Sequence, residues 1–264
     1  MSGGEFAGRV AWVSGASGAI GRAIAEALAR EGATLALSSR SLPALDALAA
    51  DLRARHGVVA HAVAADVGSR EAVDAAAARI GETCGRIDLL VNSTSRSIFG
   101  DFLELPDDDW MAVYQGKFFG YLRTIRAAVP WMLRQRSGAI VNVSGRGGHQ
   151  PTQPVHLPGM TANAAVNLLT KGLANLYGPQ GIRVNAVAPG PVESPRYDAI
   201  LATNSRLEAA GRTGTRSAFN TAPVLGAKAQ PAEIADVVLF LLSERSRLMT
   251  GTVVQADGGS TASL

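Results

Sequence analysis

The chain has 264 residues, of which 47% are hydrophobic and 18% charged, enough apolar material for a large core and no compositional sign of disorder. Its formal net charge is only +3 and its basic residues are scattered rather than gathered in a run, which argues against a nucleic-acid partner. The one cysteine, Cys84, excludes an intramolecular disulfide, and it reads as a small, partly buried thiol without metal-site partners. The opening segment lacks the basic and apolar blocks of a signal peptide, and no stretch supplies the ~20 apolar residues of a membrane span, so the expectation is a cytoplasmic protein.

Taken in order, the first predicted strand is 10–14, and it runs into Ser14-Gly15-Ala16-Ser17-Gly18-Ala19-Ile20-Gly21 at the head of an alanine-rich helix, 19–31. Glycines between a strand and a helix permit a tight turn and close approach to a pyrophosphate, which the helix N-terminus attracts. Strand 34–38 ends at Ser38-Ser39-Arg40, helix 42–55 follows, and strand 58–64 leads to Ala65-Asp66-Val67. Helix 70–83 and strand 89–92 come next, the latter ending in Asn92-Ser93-Thr94-Ser95. A long helix over 107–134, strand 139–144, helix 161–177 and strand 182–187 complete the middle of the chain. After Pro189-Gly190-Pro191-Val192 the alternation breaks: 193–230 is polar, and reads as a substrate-side loop or lid with one short helix. Helix 232–242 and strand 252–255 precede Asp257-Gly258-Gly259. Strands alternating with helices predict a single-domain α/β fold, a Rossmann-type doubly wound parallel sheet of about seven strands with helices on both faces, and a site at the strands' carboxyl ends.

These motifs, in this order, resemble the short-chain dehydrogenase/reductase family over nearly the whole chain. Gly15 and Gly21 match the outer glycines of that family's Thr-Gly-x-x-x-Gly-x-Gly, while Ser14 replaces Thr, Ala19 replaces the middle glycine, and Gly18 lies one residue early. Asp66 and Val67 resemble its adenine-reading segment, Asn92 is what remains of its Asn-Asn-Ala-Gly, and Pro189, Gly190 and Val192 match residues that line its nicotinamide end, so the resemblance implies that all six contact the dinucleotide. The resemblance implies a dinucleotide bound by Gly15, Ser17, Gly18, Ile20 and Gly21 at the turn. NADP(H) is the expected form, because Ser39 and Arg40 stand where an acidic residue would hold an unphosphorylated ribose. The alternative is a merely solvated arginine before a helix. The resemblance also implies self-association as a dimer or tetramer, through 232–242 and the last strand.

Relatives transfer hydride with an Asn-Ser-Tyr-Lys set in which Tyr moves the proton, Lys lowers its pKa and holds the ribose, Ser orients the substrate oxygen and Asn supports a water relay. Aligning the helix around Ala164-Ala165-Val166 puts Gly159 at the Tyr position and Asn163 at the Lys position, and counting along 110–120 puts Lys117 at the Asn position. Ser144 falls one residue before the serine slot, which Gly145 fills. This suggests a divergent site in which His156 is the acid/base, Ser144 orients the oxygen, and Lys117 and Asn163 make electrostatic and ribose contacts. The plainer alternative is a loop histidine, a solvated lysine and a packing asparagine; His149, Tyr114, Tyr121 and Tyr197 are further possible donors. The functional expectation is an NADP(H)-dependent oxidoreductase acting on a small-molecule carbonyl, alcohol or conjugated double bond. Non-redox chemistry on the same scaffold, or a non-catalytic NADP(H) sensor, stay open.

Overall fold

The structure, a computed structural model, describes residues 4–152, 154–212 and 222–262. Seven strands, β1 (Val10–Ser14), β2 (Thr34–Ser39), β3 (Ala60–Ala64), β4 (Leu89–Asn92), β5 (Gly138–Val143), β6 (Ile182–Pro189) and β7 (Val253–Ala256), form one parallel sheet in the order β3-β2-β1-β4-β5-β6-β7. The central strands are unbroken buried runs, as a parallel sheet covered on both faces requires. From β1 the chain builds outward to β3 and then returns to β4 on the other side, so a crevice opens above the carboxyl ends of β1 and β4.

On one face the apolar sides of α1 (Ala19–Arg30), α2 (Leu42–His56) and α8 (Pro231–Leu242) pack as a single core. The opposite face is covered by α3 (Arg70–Cys84), α5 (Phe118–Gln135) and α6 (Leu157–Tyr177), around Trp12, Ile80, Tyr121, Ile125 and Met132. Local chemistry sets the helix ends. Ser69 caps α3 by accepting from the Ala72 N–H at 3.1 Å, and Gly85 closes it at φ 71°, a conformation that suits glycine. Pro231 opens α8 beside a reciprocal Gln230/Glu233 capping box. Among the described residues no helix is long and apolar enough to cross a membrane.

Three expectations change. The helix expected over 107–134 is broken at Lys117 (φ −115°, ψ −80°) into α4 (Asp107–Gly116) and α5. There the lysine side chain turns inward, and Gly116 makes room for the Arg96 stem, which a Cβ would meet at 2.7 Å. Helix α6 starts at Leu157, with Pro158 in its first turn, rather than at 161. The 193–230 segment is not a loop with one short helix: 15 of its residues form α7 (Pro195–Ala209), capped by Ser194, which accepts from the Tyr197 N–H at 3.3 Å. Its buried face is narrow, Ile200, Asn204 and Leu207, which is why apolar periodicity did not reveal it. Residues 213–221 of the expected lid lie outside the described residues.

Candidate active site

A cavity of about 610 Å³ opens along the carboxyl ends of the strands. At its β1–β2 end the walls are largely backbone. Gly15 has φ +82° and donates its N–H to the Ser38 carbonyl at 2.8 Å; a Cβ there would lie 2.7 Å from the Ser93 carbonyl carbon. A Cβ on Gly21 would lie 2.2 Å from the Gly15 oxygen, so this glycine lets α1 sit down on the turn without itself reaching the cavity. Gly18 begins α1 with no side-chain cap, leaving first-turn amides unclaimed beside the cavity that Ser17, Gly18 and Ile20 line. The Ser39 Oγ accepts from the Ser41 N–H at 3.3 Å, and exposed Arg40 follows it on the wall.

Asp66 and Val67 lie on the same wall, as do Pro189, Gly190 and Val192, where a Cβ on Gly190 would meet the Asp257 backbone at 2.8 Å. These features fit a dinucleotide: a glycine cradle, an uncapped helix start and a cationic fork at the end of β2. Asn92 is a correction. Its side chain is fully buried, with Nδ2 donating to Asn142 Oδ1 at 3.0 Å and Oδ1 accepting from Thr124 Oγ1 at 2.6 Å, so it braces β4 against β5 and α5 beneath the cavity.

At the other end the walls are side chains from four separate segments. Lys117, Ser144, His156 and Asn163 all line the cavity, so the four expected catalytic residues do converge. The Lys117 Nζ donates to the Val143 carbonyl at 2.6 Å and to the Ser144 carbonyl at 3.3 Å, 4.9 Å from the Tyr121 ring centre. No carboxylate lies within 4 Å of it among the described residues. Burial, reinforced by the Arg196 charge, pulls its pKa down to about 7. Tyr121 is locked beneath, donating to the Val143 and Thr94 carbonyls at 2.8 and 3.2 Å, and burial raises its pKa far above the usual phenol range.

His156 sits over Gly159, so closely that a Cβ there would lie 2.0 Å from Nε2. That nitrogen is 2.8 Å from an Arg196 Nη2, and because a guanidinium only donates, Nε2 accepts and the ring proton belongs on Nδ1. Burial, then the charges of Arg196 and Lys117, lowers the pKa of His156 to about 3, so the ring is neutral at physiological pH. Asn163 reaches over Gly145, its Nδ2 2.7 Å from where a Cβ would be, and its buried Oδ1 has no partner among the described residues. Ser144 Oγ donates to the Val187 carbonyl at 3.2 Å.

Arg196 is the residue the sequence reading missed. It opens α7, donates from Nη1 to the Arg96 carbonyl (2.8 Å) and Ser97 Oγ (2.9 Å), and lies 5.0 Å from the Phe99 ring centre. Burial lowers its pKa to about 10, still cationic at neutral pH. The available signal was Ser194-Pro195, a capping residue followed by a first-turn proline, directly after Pro191-Val192. Arg146, also on the wall, went unnoticed beside Ser144. Of the other donors considered, Tyr197 lines the cavity while Tyr114 and His149 do not.

A family model described as Enoyl-(Acyl carrier protein) reductase matches residues 15–261. The chain is 37% identical over 258 residues to Oxidoreductase UcpA of Salmonella typhimurium, covering 98% of this chain and 96% of that one. Among solved structures, L-sorbose reductase from Gluconobacter frateurii complexed with NADPH and L-sorbose superposes with a TM-score of 0.86 at 30% identity, over 100% of both chains. An NAD+-bound xylitol dehydrogenase gives 0.85 at 30% identity, over 97% of this chain and 100% of the other.

Proposed function

From the premise that the chain belongs to the short-chain dehydrogenase/reductase family, oxidoreductases of carbonyl and alcohol groups, we propose that it uses NADP(H), with Lys117 as its proton-transferring side chain. The carrying observation is the Lys117 Nζ, held by two carbonyls in the cavity wall. An ammonium with two N–H groups so committed has one left for a substrate oxygen; as a neutral amine it keeps both bonds and presents a lone pair there instead. The bound nicotinamide would exchange hydride with the substrate carbon. Lys117 would give its proton to the oxygen in reduction and take it back in oxidation, and a pKa of about 7 suits both directions.

This division of roles moves the proton from His156 to Lys117. The groups facing Lys117 leave it as the one that titrates near neutrality: Tyr121 keeps its proton, His156 stays neutral and Arg196 stays cationic. His156 then holds Arg196, Ser144 exchanges its 3.2 Å bond to Val187 for one to the substrate oxygen, and the orphaned Asn163 Oδ1 accepts from the nicotinamide ribose. With Gly at 159 and Asn at 163, the site is a divergent version of the family's Tyr-Lys arrangement.

The choice of NADP(H) is supported by Arg40 and Ser39 at the end of β2, with no carboxylate there to repel a 2′-phosphate. Calorimetric titration with NADPH and NADH tests it, followed by NADPH consumption on a carbonyl panel from pH 5 to 10. Reduction should fall as pH rises through about 7 and oxidation should rise; a pH-independent rate would remove Lys117 from the mechanism. We also assign the chain to the cytoplasm, and its self-association to α8 and the sheet edge at β7, which sedimentation of the purified protein tests.

A further inference from the structure

We propose that the carbonyl substrate carries a carboxylate, and that the Arg196 guanidinium holds it. The proposal rests on the carbonyl-oxidoreductase reading and names the substrate class for the same cavity. Two cations, buried Lys117 and half-buried Arg196, share this end of the cavity, and among the described residues neither has a carboxylate within 4 Å. Burying uncompensated positive charge is unfavourable, and proteins ordinarily pair it. The other arginines on the wall differ: Arg96 lies 3.8 Å from Asp66, Arg146 feels the charge of Asp257, and Arg40, at the far end, is exposed to solvent.

The hydrogen bonds of Arg196 point the same way. Both Nη1 protons have acceptors in Arg96 O and Ser97 Oγ, and one Nη2 proton goes to His156. Nε and the second Nη2 proton are left without a partner among the described residues. Two donors on one guanidinium match the two oxygens of a carboxylate, whereas a phosphate dianion offers three oxygens and twice the charge. The Phe99 ring and the three existing bonds fix the guanidinium before any ligand arrives. Nor is Arg196 placed for the adenosine end of a dinucleotide. It follows β6, four strand spacings from the end of β2 where Arg40 lies, about 19 Å away at ~4.8 Å per strand.

The test is calorimetry on protein saturated with NADP+, titrated with butanoate, butanamide and butyl phosphate. Butanoate should bind at least ~10-fold more tightly than either, a preference that Arg196→Gln erases and Arg196→Lys partly keeps. Equal binding of butanoate and butanamide, tighter binding of butyl phosphate, or binding of none would overturn the proposal on the wild-type protein alone, however the variants fold. In parallel, NADPH consumption is followed with oxo acids and their methyl esters, the carbonyl two to five carbons from the carboxylate. An acid-over-ester preference in kcat/KM is expected, and equal turnover overturns the carboxylate site while leaving the redox reading intact. Butanoate selectivity with no NADPH consumption on any carbonyl does the reverse, sinking the redox reading and keeping the anion site.

Discussion

The two ends of the cavity are built from different materials. At the β1–β2 end, Gly15 and Gly18 bring main chain to the cavity wall while Gly21 lets α1 sit beneath them, and what this end offers a ligand is amide groups, a helix start and one exposed arginine. At the β5–β6 end, Lys117, Ser144, His156, Asn163 and Arg196 bring side chains from distant segments, and their charges alter one another. A backbone site is fixed by local sequence and fails when backbone is displaced. A side-chain cluster is fixed by tertiary packing, and its properties belong to the group rather than to any member.

The largest effect should come from breaking the backbone end. A Cβ on Gly21 would lie 2.2 Å from the Gly15 oxygen and 2.8 Å from its carbonyl carbon, so Gly21→Val forces α1 away from the turn. Dinucleotide binding should be lost by calorimetry, with destabilisation of ~3 kcal/mol, about 8 °C in Tm. At the side-chain end, Lys117→Met should act in opposite directions on activity and stability. On the role proposed for Lys117, kcat should fall by ~10²–10³. The substitution also removes a buried charge, while the Val143 carbonyl keeps its bond from Tyr121, so the variant should gain ~1–2 kcal/mol at pH 6. The gain should shrink by pH 9. In the wild type the unfolded lysine holds its proton to 10.5 and the folded one only to about 7, so between those values the unfolded state binds more protons and wild-type stability rises with pH. Thermal melts of both proteins at the two pH values check this.

That difference in materials also explains what could be read from the sequence. The contiguous 14–21 motif and the short segments after β2, β3 and β6 carry their own context, and each puts residues on the cavity wall. Asn92 misled because alternation along β4 turns its side chain toward Thr124 and Asn142 instead of the ligand. Lys117, Ser144, His156 and Asn163 could be named from the sequence, and all four line the cavity, but the electrostatics that govern them could not be read there. The depressed pKa of Lys117 depends on burial made by a break between α4 and α5, and on Arg196 arriving from a helix that polar composition disguised as loop. No local pattern encodes either.

Two smaller changes sharpen the contrast. Arg40→Ala should weaken NADPH binding ~20-fold and leave NADH binding unchanged, because one exposed, charge-assisted contact is removed and nothing else depends on it. Equal weakening of both cofactors would mean that Arg40 reads something other than the 2′-phosphate.

His156→Phe should produce the smallest loss of activity and a telling pH signature. His156 touches the reaction through Arg196, whose Nη2 would lose an acceptor, so kcat/KM on oxo acids should fall ~5–10-fold, chiefly through KM. A far larger fall in kcat would return the proton to His156. The folded ring has a pKa of about 3 against 6.5 for the free side chain, so between those values the unfolded state alone takes up the proton. Wild-type stability should therefore fall as pH drops from 6.5 toward 3, and melts of the variant over that range should show a shallower decline. The fold holds His156 neutral against its own tendency to charge, first by burying the ring and then because a third cation would be repelled by both Arg196 and Lys117.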